Sequence, residues 1–136
     1  MIGVVVVTHG QLATELLNAA ETIVGDLPGF AAVSIGWHEN TDDARTEIEQ
    51  AIARVDDGGG VLILTDMFGG TPSNLAMPFL TNGKVEVITG VNLPMLIKLA
   101  HLPERADLLA AARDMREHGR NAIWVASDLL RGEKSS

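Results

Sequence analysis

The segment Ile2 to Val7 carries no polar side chain. A short run of this kind, rich in branched residues, is the signature of a strand covered on both faces. It is the strongest constraint on the fold, because a strand hidden from water on two sides needs a packed layer above it and another below. Val61 to Leu64 repeats the pattern, and Val85 to Ile88 and the weaker Ala31 to Ile35 supply two further candidate strands. Between these runs the apolar period changes to that of helices. Leu12, Leu16, Leu17, Ala20 and Ile23 share one helical face, with Gly25 as the stop. Ala44, Ile48, Ala51, Ile52 and Val55 form a second stripe, with Asn40 or Thr41 as its N-cap. Asp56 to Gly60 reads as a loop. Helices are predicted to begin near Thr71-Pro72 and near Asn92, where Pro94 suits a first turn. Arg105 to His118 predicts a last amphipathic helix ending at Gly119, Asn121 to Ala126 a terminal strand, and 131–136 a flexible polar tail.

Strand and helix alternate throughout, which predicts an α/β fold with a mostly parallel sheet and right-handed crossovers. The 136 residues suffice for one core, and no repeat or linker divides them, so a single domain over 1–130 is expected. The absence of cysteine excludes a disulfide framework, a thiolate zinc site and a cysteine nucleophile. Ten Lys and Arg against eighteen Asp and Glu give a net charge of −8, which argues against a nucleic-acid partner. The same charge is compatible with small anions bound by backbone N–H groups, and with a protein partner carrying a basic patch. The apolar start lacks the basic flank of a signal peptide, and no run approaches the roughly 20 residues that span a bilayer, so a soluble, cytoplasmic protein is expected.

In a parallel α/β sheet, ligands bind beyond the carboxyl ends of the strands, where the strand order switches. Three loops follow such ends: Thr8-His9-Gly10, the stretch from Thr65 to Asn74, and the stretch from Thr89 to Pro94. His9, at the rim, is a candidate nucleophile for phosphorus, provided that its other ring nitrogen carries the proton. Asp66 could accept that N–H and stabilise the charge that builds on the ring. A rim histidine that merely caps a helix is the competing reading. Gly69 and Gly70 allow a backbone to approach an anion closely where a strand turns into a helix, and Thr71 adds a hydroxyl for a phosphoryl oxygen. An ordinary tight turn, with Thr71 as N-cap and Pro72 in first helical position, explains the same residues. The segment lacks the lysine and spacing of a nucleotide P-loop, and no dinucleotide fingerprint follows a strand. Met67 and Phe68 are candidates either for partner docking or for packing under their loop. His38 is a second rim candidate, whereas His101 and His118 fall near helix ends that favour an imidazole. No histidine pair has the spacing of a zinc helix, so neither metal nor other cofactor is expected.

Taken together, "THG" at Thr8–Gly10, "DMFGGTPSN" at Asp66–Asn74 and "GVNLPML" at Gly90–Leu96 closely resemble the IIA domain of the mannose-type phosphoenolpyruvate-dependent sugar phosphotransferase system. The resemblance runs from Met1 to about Ala126. It implies a doubly wound α/β fold with helices on both faces of the sheet. It also implies a last antiparallel strand, matching Asn121 to Ala126, that is exchanged between the subunits of a homodimer. The family's phosphorylated histidine falls on His9, its ring-bonded aspartate on Asp66 and its phosphoryl-contacting hydroxyl on Thr71. The implied donor is the histidine phosphocarrier protein HPr and the implied acceptor a IIB protein, with the membrane engaged only indirectly through a permease. Members of this family are often joined to IIB by an Ala/Pro-rich linker. None lies within these residues, and a free-standing carrier is the expectation. A regulatory protein whose His9 phosphorylation controls a partner is the alternative. The donor subunit of a dihydroxyacetone kinase and a nucleotide- or flavin-binding protein fit the motifs less well.

Overall fold

The structure, a computed structural model, describes residues 1–37 and 39–132. His38 and positions 133–136, and with them most of the expected tail, lie outside the described residues. Four strands form the sheet: β1 (Gly3–His9), β2 (Phe30–Ile35), β3 (Val61–Thr65) and β4 (Val85–Thr89). They are ordered β2-β1-β3-β4, and every pairing is parallel. Helices α1 (Leu12–Val24), α4 (Leu93–Leu99) and α5 (Leu108–Asn121) cover one face, and α2 (Thr41–Val55) and α3 (Thr71–Ala76) cover the other. This is the doubly wound arrangement, with the chain reversing direction across the sheet between β1 and β3.

The reason for the polar-free start is visible in β1. Val4 and Val6 enter the core under α1, α4 and α5, whereas Val5 and Val7 enter the core under α2 and α3. All four are buried, and each contributes about 1.5–3 kcal/mol over its exposed state. In β3, Leu62 and Leu64 divide from Val61 and Ile63 in the same way. β4 is an edge strand and is half-buried along its whole length.

The helices follow the predicted stripes with three corrections. The buried face of α1 is Ala13, Leu17 and Ala20, while Leu12 and Ile23 are exposed. The small alanines let the helix lie close to the sheet and so rotate the stripe. Asn40 is the N-cap of α2, its side chain accepting from the N–H groups of Asp42 and Asp43. Asp107, accepting from the Ala110 N–H, starts α5 three residues later than Arg105. The helix also runs through Gly119 instead of ending there. That glycine is a packing residue: a Cβ on it would stand 2.8 Å from the Met95 side chain, and its carbonyl accepts from the Asn92 side chain of the α4 N-cap.

The terminal strand expected over Asn121 to Ala126 is therefore not formed in this single chain. Asn121 closes α5, 122–125 are irregular, and a short α6 (Ala126–Leu130) follows. A strand requires a neighbour for its backbone groups, and among the described residues no strand pairs with this segment. Ile123, Trp124 and Val125 stay exposed. No helix among the described residues is long and apolar enough to cross a membrane.

Candidate functional site

The register of β1 on β3 places Val7 opposite Thr65, so the residues just beyond, His9 and Asp66, meet at the reversal of strand order. One carboxylate oxygen of Asp66, Oδ2, accepts the His9 backbone N–H at 3.1 Å and contacts ring Nδ1 at 2.8 Å. The other, Oδ1, accepts the Met67 N–H at 3.1 Å. An ionised carboxylate accepts and does not donate, so the proton of a neutral His9 ring sits on Nδ1 and the lone pair on Nε2. The side chain of Asp66 is 14% exposed and that of His9 51% exposed. The orienting group is thus sheltered while the oriented ring remains accessible. The His9 ring is not a helix cap, because its Nδ1 partner, Asp66, lies in the loop that follows β3.

Nε2 faces Gly70. A Cβ on Gly70 would lie 3.1 Å from both Cε1 and Nε2 of His9, whereas one on Gly69 would meet nothing within 4 Å. Both glycines have positive φ, 89° and 86°. Gly70 occupies the cap position of α3, which makes Thr71 its first residue and not its N-cap. The Thr71 hydroxyl is exposed and makes no hydrogen bond among the described residues. Substituting alanine at either glycine strains the backbone by about 1–2 kcal/mol, but only at position 70 does the new methyl press on the ring. The expected outcome is that Gly70→Ala shifts the nitrogen and proton NMR signals of the His9 ring and Gly69→Ala leaves them near those of wild type, with both variants folded. Ring signals displaced equally in the two variants, or in neither, would remove the link between Gly70 and the ring.

Beside His9 opens a pocket of about 540 Å³ lined by Ile35, Gly36, Trp37, Glu39, Thr41, Gly70 and Thr71. On the side of this pocket that follows β2 the sequence reading offered only His38, and not Trp37 or Glu39, which line it. The signal was there: β2 ends on the same edge of the sheet as β1, and 36–43 is polar except for one tryptophan, Trp37, which is 93% exposed. Glu39 accepts the Gly36 N–H, and a hydrogen bond with this carboxylate raises the pKa of Glu47, helped by desolvation and by repulsion from Glu39 and Asp43. The rim is therefore acidic on this flank. Met67 and Phe68, 54% and 75% exposed, follow Asp66 in the loop after β3, and at that exposure neither packs beneath its loop.

The third expected loop supports the site without lining it. The N–H groups of Gly90 and Val91 donate to the Thr65 carbonyl at 2.9 and 3.0 Å, and Asn92 caps α4. His101 bonds through Nδ1 to the Ile97 carbonyl and His118 lies in the last turn of α5, both at helix ends. His38 lies outside the described residues. Among the described residues, no three acidic or histidine side chains are grouped as a metal ion would require.

What the rim defines is a class, an α/β protein that presents an oriented imidazole where its strand order reverses. Within that class the chain belongs to the mannose-type IIA family of the phosphotransferase system. Residues 3–115 match the family described as the PTS system fructose IIA component, and the components of this family are phosphotransferase proteins. The chain is 32% identical over 127 residues to the mannose-specific EIIAB component of Escherichia coli, a match covering 90% of this chain and 39% of that protein. It is 28% identical over 137 residues to the fructose-specific EIIA component of Bacillus subtilis, covering 100% of this chain and 94% of that one. Among solved structures, the IIA protein associated with the fucose utilization operon of Streptococcus pneumoniae superposes with a TM-score of 0.83 at 26% identity, covering 95% of this chain and 96% of that one.

Proposed function

We propose that this protein is a cytoplasmic phosphoryl carrier, accepting the group from phospho-HPr on His9 Nε2 and passing it to a IIB protein for sugar uptake. The observation that carries this reading is the pair of contacts on Asp66 Oδ2, which occupies Nδ1 and leaves Nε2 with no hydrogen-bond partner among the described residues. In the forward step the Nε2 lone pair attacks phosphorus, and the N–P bond of the donor phosphohistidine breaks, its electron pair returning to the donor ring. The phosphorylated His9 ring then holds a proton on Nδ1 and a positive charge, which the Asp66 carboxylate stabilises. Transfer to IIB reverses these changes on a new acceptor. Gly69 and Gly70 give the phosphoryl oxygens room to approach the backbone, and the unoccupied hydroxyl of Thr71 is free to donate to one of them. Met67 and Phe68 supply apolar contact for the docking partner. No metal is required, since positioning and charge stabilisation suffice for phosphoryl transfer between imidazoles.

The test is reconstitution. The protein is incubated with phosphoenolpyruvate, enzyme I and HPr, its intact mass is measured, and candidate IIB proteins are then added. Gain of one phosphoryl group followed by its loss to a IIB supports the carrier reading. Stable retention against every IIB of the same genome favours the regulatory alternative.

The reading extends to a homodimer. Beyond Val85, which bridges Thr81, no strand among the described residues pairs with the outer edge of β4, and a groove of about 310 Å³ runs between it and α5, lined in part by Val87, Leu109 and Ala112. The apolar Ile123, Trp124 and Val125 stand exposed nearby in sequence, and pairing this segment with a partner's sheet covers both liabilities. The intact chain is expected to scatter light as a dimer, and deletion of Asn121 to Ser136 to give aggregation or a poorly folded monomer. A monodisperse monomer of the intact chain at micromolar concentration rejects the dimer and leaves the carrier reading standing.

A further inference from the structure

Three polar residues are buried among those described: Thr8, Thr65 and Ser73. Thr8, immediately before the nucleophile, is fully buried, and its hydroxyl makes two bonds. It accepts the N–H of Ala13 at 2.6 Å and donates to the carbonyl of His9 at 3.2 Å. Between these partners the chain turns through Gly10, at φ 56°, and Gln11, whose side chain gives α1 no cap. The Thr8 hydroxyl thus stands in for the missing cap, from outside the helix, and grips the reactive residue at the same time.

The consequence for His9 is that its backbone has no free polar group. Its N–H is on Asp66, its carbonyl on Thr8, and the following N–H, of Gly10, is on the Ile35 carbonyl at 2.9 Å. The ring is held separately through Nδ1. Asp66 alone fixes the tautomer, but a carboxylate on a loop does not fix where Nε2 lies along the pocket. That position follows from the Cα of His9, and Thr8 ties this Cα to the first turn of α1.

From this geometry we infer that Thr8 is a positioning residue for phosphoryl transfer. Its hydroxyl holds the His9 backbone so that Nε2 meets the incoming phosphorus in line, although Thr8 touches neither phosphorus nor partner. The inference rests on the phosphocarrier reading above. Valine is nearly isosteric but cannot bridge the two backbone groups, while serine can.

The experiment measures single-turnover transfer from phospho-HPr to wild type, Thr8→Val and Thr8→Ser over a range of donor concentrations. The nitrogen and proton NMR signals of the His9 ring are recorded alongside. Thr8→Val is expected to lower the limiting rate per folded molecule by at least about tenfold, the loss typical of a misplaced reacting atom. The half-saturating donor concentration should stay unchanged, the ring signals should shift, and Thr8→Ser should restore both rate and signals. A purely structural hydroxyl would change the folded fraction and leave the limiting rate and ring signals as in wild type, and that result overturns the inference. Should the valine variant fail to fold, Thr8→Ala compared with Thr8→Ser reads the same two quantities. Wild type that takes no phosphoryl group on His9 overturns the carrier reading itself. Wild type that labels normally beside an unimpaired valine variant overturns only the role of Thr8.

Discussion

His9→Ala is expected to take up no phosphoryl group above background from phospho-HPr, while wild type gains one that is labile in acid and stable in base. The lability follows from the P–N bond: protonation of the ring nitrogen in acid makes it a good leaving group, and base offers no such route. The fold should survive the substitution, since the His9 side chain is half exposed and the backbone bonds around it do not involve the ring. Intact mass before and after mild acid, with circular dichroism as the control for folding, reads both expectations. A label that persists in His9→Ala places the acceptor elsewhere and rejects the assignment.

Asp66→Asn carries the second large effect, a slowing of transfer by about 10²–10⁴-fold, the range for removing a group that orients and charge-stabilises a catalytic imidazole. Asp66 takes three N–H groups on two oxygens: the His9 ring and His9 backbone on Oδ2, and the Met67 backbone on Oδ1. Asparagine has one oxygen in place of two. If that oxygen keeps the His9 contacts, the amide group faces the Met67 N–H with a donor; if it turns toward Met67, its NH2 donates to Nδ1 and forces the proton onto Nε2, which extinguishes the nucleophile. Neither orientation supplies the negative charge that offsets the phosphorylated ring. Rapid-quench kinetics at neutral pH measure the loss, and an unchanged rate sinks the proposed role. Asp66 is at the rim, so the variant should fold.

Much of this was legible in the sequence, for reasons that can be named. Strands buried on both faces announce themselves because no polar side chain survives there, as Val4 to Val7 and Val61 to Leu64 show. Parallel order then sends every functional loop to one edge, so His9, Asp66, Gly70 and Thr71 could be grouped from strand ends alone. What stayed hidden depended on neighbours far along the chain. Gly119 looked like a helix stop because its close contact with Met95 of α4 is not a local property. The stripe of α1 held at Leu17 and Ala20 but was misphased at its ends, because Ala13 counts for little on a hydrophobic scale yet permits a close approach. The segment 121–126 has the composition of a strand, but a strand is defined by what it pairs with, and nothing among the described residues does so. Thr8 passed as part of a motif until its burial and two hydrogen bonds were seen.

The pairing of β1 with β3 has one more consequence, which concerns when the site exists at all. His9 and Asp66 are 57 positions apart in the chain, and the chain between them holds α1, β2 and α2. Closing so long a loop is entropically unfavourable until the sheet supports it. No fragment lacking either strand has the oriented imidazole, and a partly folded chain with β1 and β2 paired but β3 absent has a histidine with no defined tautomer. The oriented imidazole is therefore a property of the assembled sheet, and it comes into being with the contact across the point where the chain changes direction.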